Sequence, residues 1–216
     1  MKTNKLPETR VCLIDIPVVV ETLRLVVERM GLELVKSGNS VLDCLDVVKQ
    51  SAPELLILDP LLPSGLDLLK SLRFSYPELK ILVFAFNEEL YGLRCLSAGV
   101  NGFLEKNASV TKITVAIEEV ILTGLSFSEA LGKKVVRLTV LAKPGHFPST
   151  EPLDALSDRE LQIFTLIGRG IRTRQIAEDL GLNVKTVESH KAHIKEKLCI
   201  PNCTELARRA FMWSGS

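Results

Sequence analysis

Apolar positions over the first 125 residues alternate between two spacings. Short, mostly apolar runs at Val11–Ile14, Leu32–Val35, Leu55–Leu58, Ile81–Ala85 and Gly102–Leu104 predict strands buried on both faces. Between and after them, residues 17–30, 40–51, 65–74, 88–97 and 111–123 carry apolar side chains at helical spacing. Val19, Leu23, Val26 and Val27 mark the first of these helices, which Gly31 stops, and Val41, Leu45 and Val48 mark the second. Strand–helix units in succession predict an α/β layer with a parallel sheet, and acids placed at strand ends favour a flavodoxin-like, doubly wound (βα)5 order.

The pattern changes after Gly124. Leu131, Val135, Leu138 and Leu141 predict an extra helix over 128–141, and the prolines at 144, 148 and 152 then predict a semi-rigid linker. Everything beyond reads as helix, giving a small all-α second domain. Ser157 and Glu160 have the spacing of a capping box, with Leu161, Phe164 and Ile167 continuing the apolar stripe. A short helix from Thr173 to Leu180, a turn at Gly181–Asn183, a helix through Leu198 and a last helix over 204–213 complete it. The expected division is 1–125, a connecting segment over 126–153, and 154–216.

Composition narrows the functional classes. The chain has 216 residues, which suits two domains better than one, and it is 46% hydrophobic and 25% charged, which excludes a disordered or low-complexity protein. Its net charge of +1 excludes a uniformly basic nucleic-acid coat but leaves room for a local basic face. Asp15, Glu21 and Arg24 interrupt the longest apolar stretch, so no membrane span is expected, and the start of the chain lacks an apolar leader; a cytoplasmic protein is the expectation. Five scattered cysteines show neither a disulfide framework nor a Cys/His set at zinc-ligand spacing. A glycine-rich phosphate loop and a Ser/His/Asp set are likewise absent, so the reading is not an enzyme.

In the second domain, Ile176, Ala177, Leu180, Gly181 and Val187 have the spacing of a helix-turn-helix, whose second helix enters the DNA major groove. That helix carries Lys185, Lys191, Lys195 and Lys197 against Glu188 and Glu196, flanked by Arg169, Arg172 and Arg174. A solvated lysine face on a helical bundle is the bland alternative. Residues 156–213 resemble the DNA-binding domain of the LuxR/NarL/FixJ family, through Leu156–Glu160, Gln175–Ala177, Leu180–Leu182, Lys185–His190, Ile194, Lys197–Leu198, Asn202 and Thr204. The resemblance implies phosphate contacts at Lys185, Thr186, His190 and Lys191, and base-facing positions at Glu188, Ser189 and Ala192; Arg174 and Lys195 join the expected DNA-binding set. It also implies a homodimer through the last helix, where Leu206, Ala207 and Ala210 form an apolar stripe. Arg172 stands where the family usually has a serine, and Thr173 is expected to cap that helix instead.

In the first domain, function is expected outside the carboxyl ends of the strands, where Asp15, Asp59, Ala85 and Lys106 fall. Two acids and a lysine there suit a divalent cation and a phosphoryl group, with a plain ion pair at the sheet edge as the alternative. Residues 9–124 resemble a response-regulator receiver domain, through Arg10–Asp15, Pro53–Asp59 with Pro63, and Gly99–Ser109. The resemblance makes Asp59 the match to the phosphoacceptor, Lys106 to the family's lysine, and Phe103 to its aromatic switch position. Three departures stand out. Ile14 replaces the first of two adjacent acids, Ala85 replaces a hydroxyl residue and is followed by bulky Phe86, and the loop after Pro63 is two residues short. A Mg2+ site at Asp15 and Asp59 is therefore expected to be weak or absent, and the receiver is expected to work without aspartyl phosphorylation.

These observations predict a transcription regulator that binds double-stranded DNA as a homodimer, with a sensor kinase or another regulatory protein as candidate partner. Two alternatives stay open: a conventional phosphorylation-dependent response regulator, and a receiver-based adaptor whose DNA binding is vestigial. Over 151–216 there are ten basic and nine acidic residues, so positive charge is concentrated on one helix face rather than in a domain. Modest non-specific affinity and dependence on a dimer follow.

Overall fold

The computed structural model describes residues 6–39, 44–60, 65–141 and 152–214. Val41, Pro63 with its shortened loop, and linker prolines 144 and 148 lie outside the described residues, as do the side chains of Leu138 and Leu141. The chain forms two compact units, Met1–Val135 and Val136–Ser216.

In the first unit the elements are β1 (Arg10–Ile14), α1 (Pro17–Arg29), β2 (Glu33–Gly38), α2 (Cys44–Ser51), β3 (Leu55–Leu58), α3 (Gly65–Ser75), β4 (Lys80–Ala85), α4 (Glu88–Ser97), β5 (Gly102–Glu105) and α5 (Val110–Thr123). α6 (Glu129–Leu141) follows, its range covering the division between the two units. The strands pair in parallel in the order β2-β1-β3-β4-β5, the expected flavodoxin-like arrangement. Both faces are dry. Val11, Leu13, Leu55, Ile57, Leu82 and Phe84 pack with α1 and α5, while Cys12, Ile14, Leu56, Leu58, Ile81 and Val83 are buried on the opposite face. Continuous aliphatic strands are what such a sheet requires.

Backbone hydrogen bonds bring the strand ends level where the chain order reverses between β1 and β3. The Asp59 amide donates to the Ile14 carbonyl at 3.2 Å, the Asp15 amide to Gly38 at 3.1 Å and the Lys106 amide to Ala85 at 3.0 Å. Asp15, Asp59 and Lys106 each stand one residue beyond a strand, so their side chains leave the sheet at one edge. The first turn of α6 docks on α4, where Leu131 is buried against Gly92 and the Ser128 hydroxyl donates to Glu88.

Beyond the end of α6 the second unit has a 3-10 turn at Pro152–Ala155, unforeseen in the sequence, followed by α7 (Asp158–Gly168), α8 (Thr173–Asp179), α9 (Val184–Lys197) and α10 (Cys203–Ser214). The capping box forms as expected: the Glu160 amide donates to the Ser157 hydroxyl and the Ser157 amide to the Glu160 carboxylate at 2.7 Å. Gly181 turns α8 into α9 at a φ of +62°, in the left-handed region that glycine tolerates. Asn183 caps α9 through the Thr186 amide.

Two expectations are corrected. Thr173 does not cap α8; Arg172 holds the N-cap position with no side-chain hydrogen bond, and the Thr173 hydroxyl accepts from Lys191 instead. Leu206 and Ala210 do not form an outward stripe. Both are completely buried, because this side of α10 packs along α7, and Ala207 alone of the three faces out, near exposed Phe211 and Met212.

Candidate functional site

The pocket at the sheet edge is closed by one cation. Lys106 Nζ lies 2.7 Å from Asp15 Oδ1 and 2.7 Å from Asp59 Oδ2, with all three side chains buried. The Ile16 amide also donates to Asp15 Oδ1 at 2.7 Å, fixing that carboxylate from the backbone. Burial pushes the Asp15 carboxyl above the usual carboxylate range against the pull of the Lys106 ammonium, and the nearby Asp59 charge adds to the rise. Ala85 is completely buried at the end of β4, so the pocket wall there is a methyl group, and Phe103 is buried on β5.

Phe86 was recognisable in the sequence only as a bulky residue. In the structure its half-exposed ring stands over the ammonium of Lys106, 5.9 Å from nitrogen to ring centre, a cation–π distance. The next residue, Asn87, adopts a left-handed φ of +64° and caps α4 by accepting from the Leu90 amide. Glu105 Oε1 accepts from the Glu88 amide, tying the start of α4 to the end of β5.

Asp15 Oδ2 is buried and has no hydrogen-bond partner among the described residues. That oxygen, with Asp59, is what the pocket offers a cation. Mg2+ needs hard oxygen ligands in near-ideal octahedral geometry, whereas the Lys106 ammonium already occupies one oxygen of each carboxylate and Ile14 supplies no oxygen. The residues present therefore do not fit a resident Mg2+.

In the second unit, Lys185, Glu188, Ser189 and Ala192 are exposed at i, i+3, i+4 and i+7 along one face of α9, while Val187 and Ile194 are buried beneath. The remaining expected DNA-binding residues are distributed differently. Lys191 is mostly buried, donating to Glu188 at 2.8 Å and to the Thr173 hydroxyl at 3.2 Å, so it ties α9 to α8. Hydrogen bonding from Lys191 holds the Glu188 carboxyl below its ordinary range. Arg174 extends into solvent from α8 with an ion pair to Glu178. Thr186 bonds back to Asn183, and Lys195 is half-buried. His190 is turned towards Glu160 and His193, with its Nδ1 buried.

A doubly wound acid/lysine pocket followed by a four-helix unit containing a helix-turn-helix defines a two-domain regulator. Residues 11–118 match the response regulator receiver domain, and residues 154–210 match the bacterial regulatory proteins of the luxR family. The chain belongs to the DNA-binding response regulators that join these two domains, which are transcription factors rather than enzymes. It is 33% identical over 184 residues to the oxygen regulatory protein NreC of Staphylococcus aureus, covering 83% of this chain and 85% of that protein. The fold is also that of the Salmonella typhimurium response regulator RcsB, with a TM-score of 0.72 at 20% identity, covering 96% of this chain and 99% of that one. RcsB bound to promoter rprA in the presence of the phosphomimetic BeF3- matches at a TM-score of 0.66 and 19% identity, covering 97% and 100%. Among the described residues no helix is long and apolar enough to cross a membrane.

Proposed function

We propose that this response regulator acts as a homodimer on double-stranded DNA and that its receiver does not depend on phosphorylation of Asp59. The observation that carries the reading is the closure of the pocket by Lys106 on both carboxylates, beneath Phe86 and beside the Ala85 methyl. A transferring phosphoryl group needs its developing charge neutralised, and the receiver then needs a hydroxyl to bind the new oxygens and move the switch. Ile14 and Ala85 supply neither. In this reading control comes from a partner, either a sensor kinase that binds without transferring phosphate or another regulatory protein.

The division into residues 1–125, 126–153 and 154–216 belongs to the same proposal. On DNA, the exposed face of α9 lies in the major groove, with Lys185, Thr186, Lys195 and Arg174 towards phosphates and Glu188, Ser189 and Ala192 towards base edges. Incubating the full chain with acetyl phosphate and Mg2+, with Asp59→Asn as control, tests the reading. The expected result is no stoichiometric labelling and an unchanged gel shift. Labelling at Asp59 accompanied by a matching gain in DNA affinity would overturn it in favour of a conventional phosphorylation switch.

A further inference from the structure

Two histidines one turn apart on α9 meet an acid of α7 that is distant in the sequence. A carboxylate oxygen of Glu160 and one imidazole nitrogen each from His190 and His193 all lie within 4.8 Å of one another, and His193 Nδ1 is 4.0 Å from Glu160 Oε1. The acid is buried at the capping box of α7, and its other oxygen, Oε2, takes the hydrogen bonds from the Ser157 amide and Lys197. Oε1 is thus the oxygen turned towards the histidines.

We propose that Glu160, His190 and His193 form a binding site for a divalent transition-metal ion of the zinc class. Two imidazoles and one carboxylate are a donor set for such ions, with a fourth position left for water. Bond lengths of about 2.0–2.2 Å place neighbouring ligand atoms of a tetrahedral site roughly 3.3–3.5 Å apart, so the three donors need to close by about 0.5–1.5 Å. The His193 side chain is 60% exposed, which gives it room to make that movement and gives an ion access from solvent. His190 contributes the independent observation: its Nδ1 is buried and has no hydrogen-bond partner among the described residues. A buried imidazole nitrogen normally has a partner, and His190 is also the buried-side member of the cluster with Glu160 and His193.

The electrostatics around the cluster run both ways. The Glu160 carboxylate attracts a cation at this place, while the cationic Arg159 and Lys197 lie close enough to oppose one. Lys197 and Arg159 repel a dication, but Lys197 is engaged on the oxygen the metal does not use. Bound there, an ion would pin the recognition helix α9 to α7 at its inner side, leaving Lys185, Glu188, Ser189 and Ala192 outward.

The test uses the full chain carrying Cys199→Ser and Cys203→Ser, which removes the two exposed thiols as competing ligands. Titration with ZnCl2 by calorimetry, with CoCl2 absorbance as a second probe, is expected to show one ion per chain and a higher melting temperature of the helical unit. His193→Ala is expected to weaken binding at least tenfold and abolish the melting shift, whereas His146→Ala leaves both unchanged. Far-UV circular dichroism establishes that each variant is folded, and His193→Asn serves where the alanine variant is not. Equal affinity of the parent and the His193 variant, or no binding by the parent, would overturn the proposal.

Discussion

Lys106 and Asp59 make a buried ion pair at 2.7 Å, and the same ammonium reaches Asp15 at 2.7 Å. One positive charge therefore holds two carboxylates in a pocket that water scarcely enters. Lys106→Met leaves those carboxylates facing each other without a counterion. Removing one partner of a buried pair typically costs about 3–5 kcal/mol, and that loss is expected here for the receiver unit. Trp213 is the chain's single tryptophan and lies on α10, so urea unfolding followed by its fluorescence reports the helical unit, while far-UV circular dichroism reports both. The variant should shift the circular-dichroism transition and leave the tryptophan transition in place.

The pH dependence of the same pocket has a defined sign. The Asp15 carboxyl is raised in the folded chain, so the folded state binds its proton more tightly than the unfolded chain. Its contribution falls as pH rises from the unfolded carboxyl value, near about 4, through the folded value, and is level above that. Asp15→Asn should flatten the receiver's stability profile across that window; an unchanged slope would show that Asp15 is not the titrating group.

The acid/lysine constellation was legible because each residue ends a run of apolar strand residues, and parallel strands bring such ends to one edge. The place of Phe86 over Lys106 was not, since it depends on the left-handed turn at Asn87, a local conformation that the hydrophobic pattern does not encode. The helix-turn-helix and the Asn183 cap of α9 were legible from spacing, whereas the start of α8 was not, since Thr173 does not cap it. The direction of α10 was misread because a stripe of Leu206, Ala207 and Ala210 states that one side is apolar without naming what covers it, and α7 does. The meeting of Glu160 with His190 and His193 was hidden by the 29 residues between Glu160 and His190 and became visible once α7 and α9 were packed together.

Gly92 sets how closely α6 approaches α4. A Cβ at this position would come within 3.0–3.1 Å of both Leu131 methyls and of Glu88 Cγ. Gly92→Val should therefore push Leu131 out of its site, and hydrogen exchange over 129–135 should become faster while the strands stay protected. Gly92→Ala asks for a shift of a few tenths of an ångström and should have a milder form of the same effect.

Glu160 predicts an acid-sensitive helical unit. Burial alone would raise its carboxyl, but hydrogen bonds from Lys197 and Ser157 outweigh it and hold it below the ordinary glutamate value. The stability this supplies is present above the unfolded value of about 4.3 and is lost as pH falls through the folded one. Glu160→Gln keeps a side chain able to reach the Ser157 amide but removes the charge that Lys197 pairs with. The variant should lose about 1–2 kcal/mol at pH 7 by tryptophan-monitored urea unfolding and show a shallower fall below pH 4.3. Glu205, held at about 2 by Arg208 and Arg209, titrates lower and accounts for part of the slope that remains.

Lys185 and Lys191 were grouped by the sequence, and the structure separates them. Lys185 is exposed on α9, whereas Lys191 is engaged with Glu188 and Thr173. Lys185→Ala should reduce the slope of log affinity against log salt by about one and leave the unfolding midpoint unchanged. Lys191→Ala should instead lower the midpoint, because it frees α9 from α8, and weaken DNA binding through that loss. Gel shifts across a salt series, paired with unfolding curves for each variant, distinguish the two roles. Equal salt slopes for parent and Lys185→Ala would remove Lys185 from the phosphate contacts.

The two sides of α10 should behave oppositely. Leu206 is completely buried against the interior of the helical unit, and Leu206→Ala is expected to cost about 2–5 kcal/mol through lost burial and the cavity left behind. Phe211 is two-thirds exposed at the other side, so Phe211→Ser loses little packing within its own chain. If the homodimer forms through the outward side of α10, Phe211→Ser should leave the tryptophan-monitored unfolding of the monomer unchanged. It should also raise the concentration at which the full chain dimerises by at least tenfold in sedimentation equilibrium. DNA affinity should fall with the dimer, since each chain alone offers only one exposed recognition face. A Phe211→Ser protein that dimerises as the parent does would place the interface elsewhere on the chain.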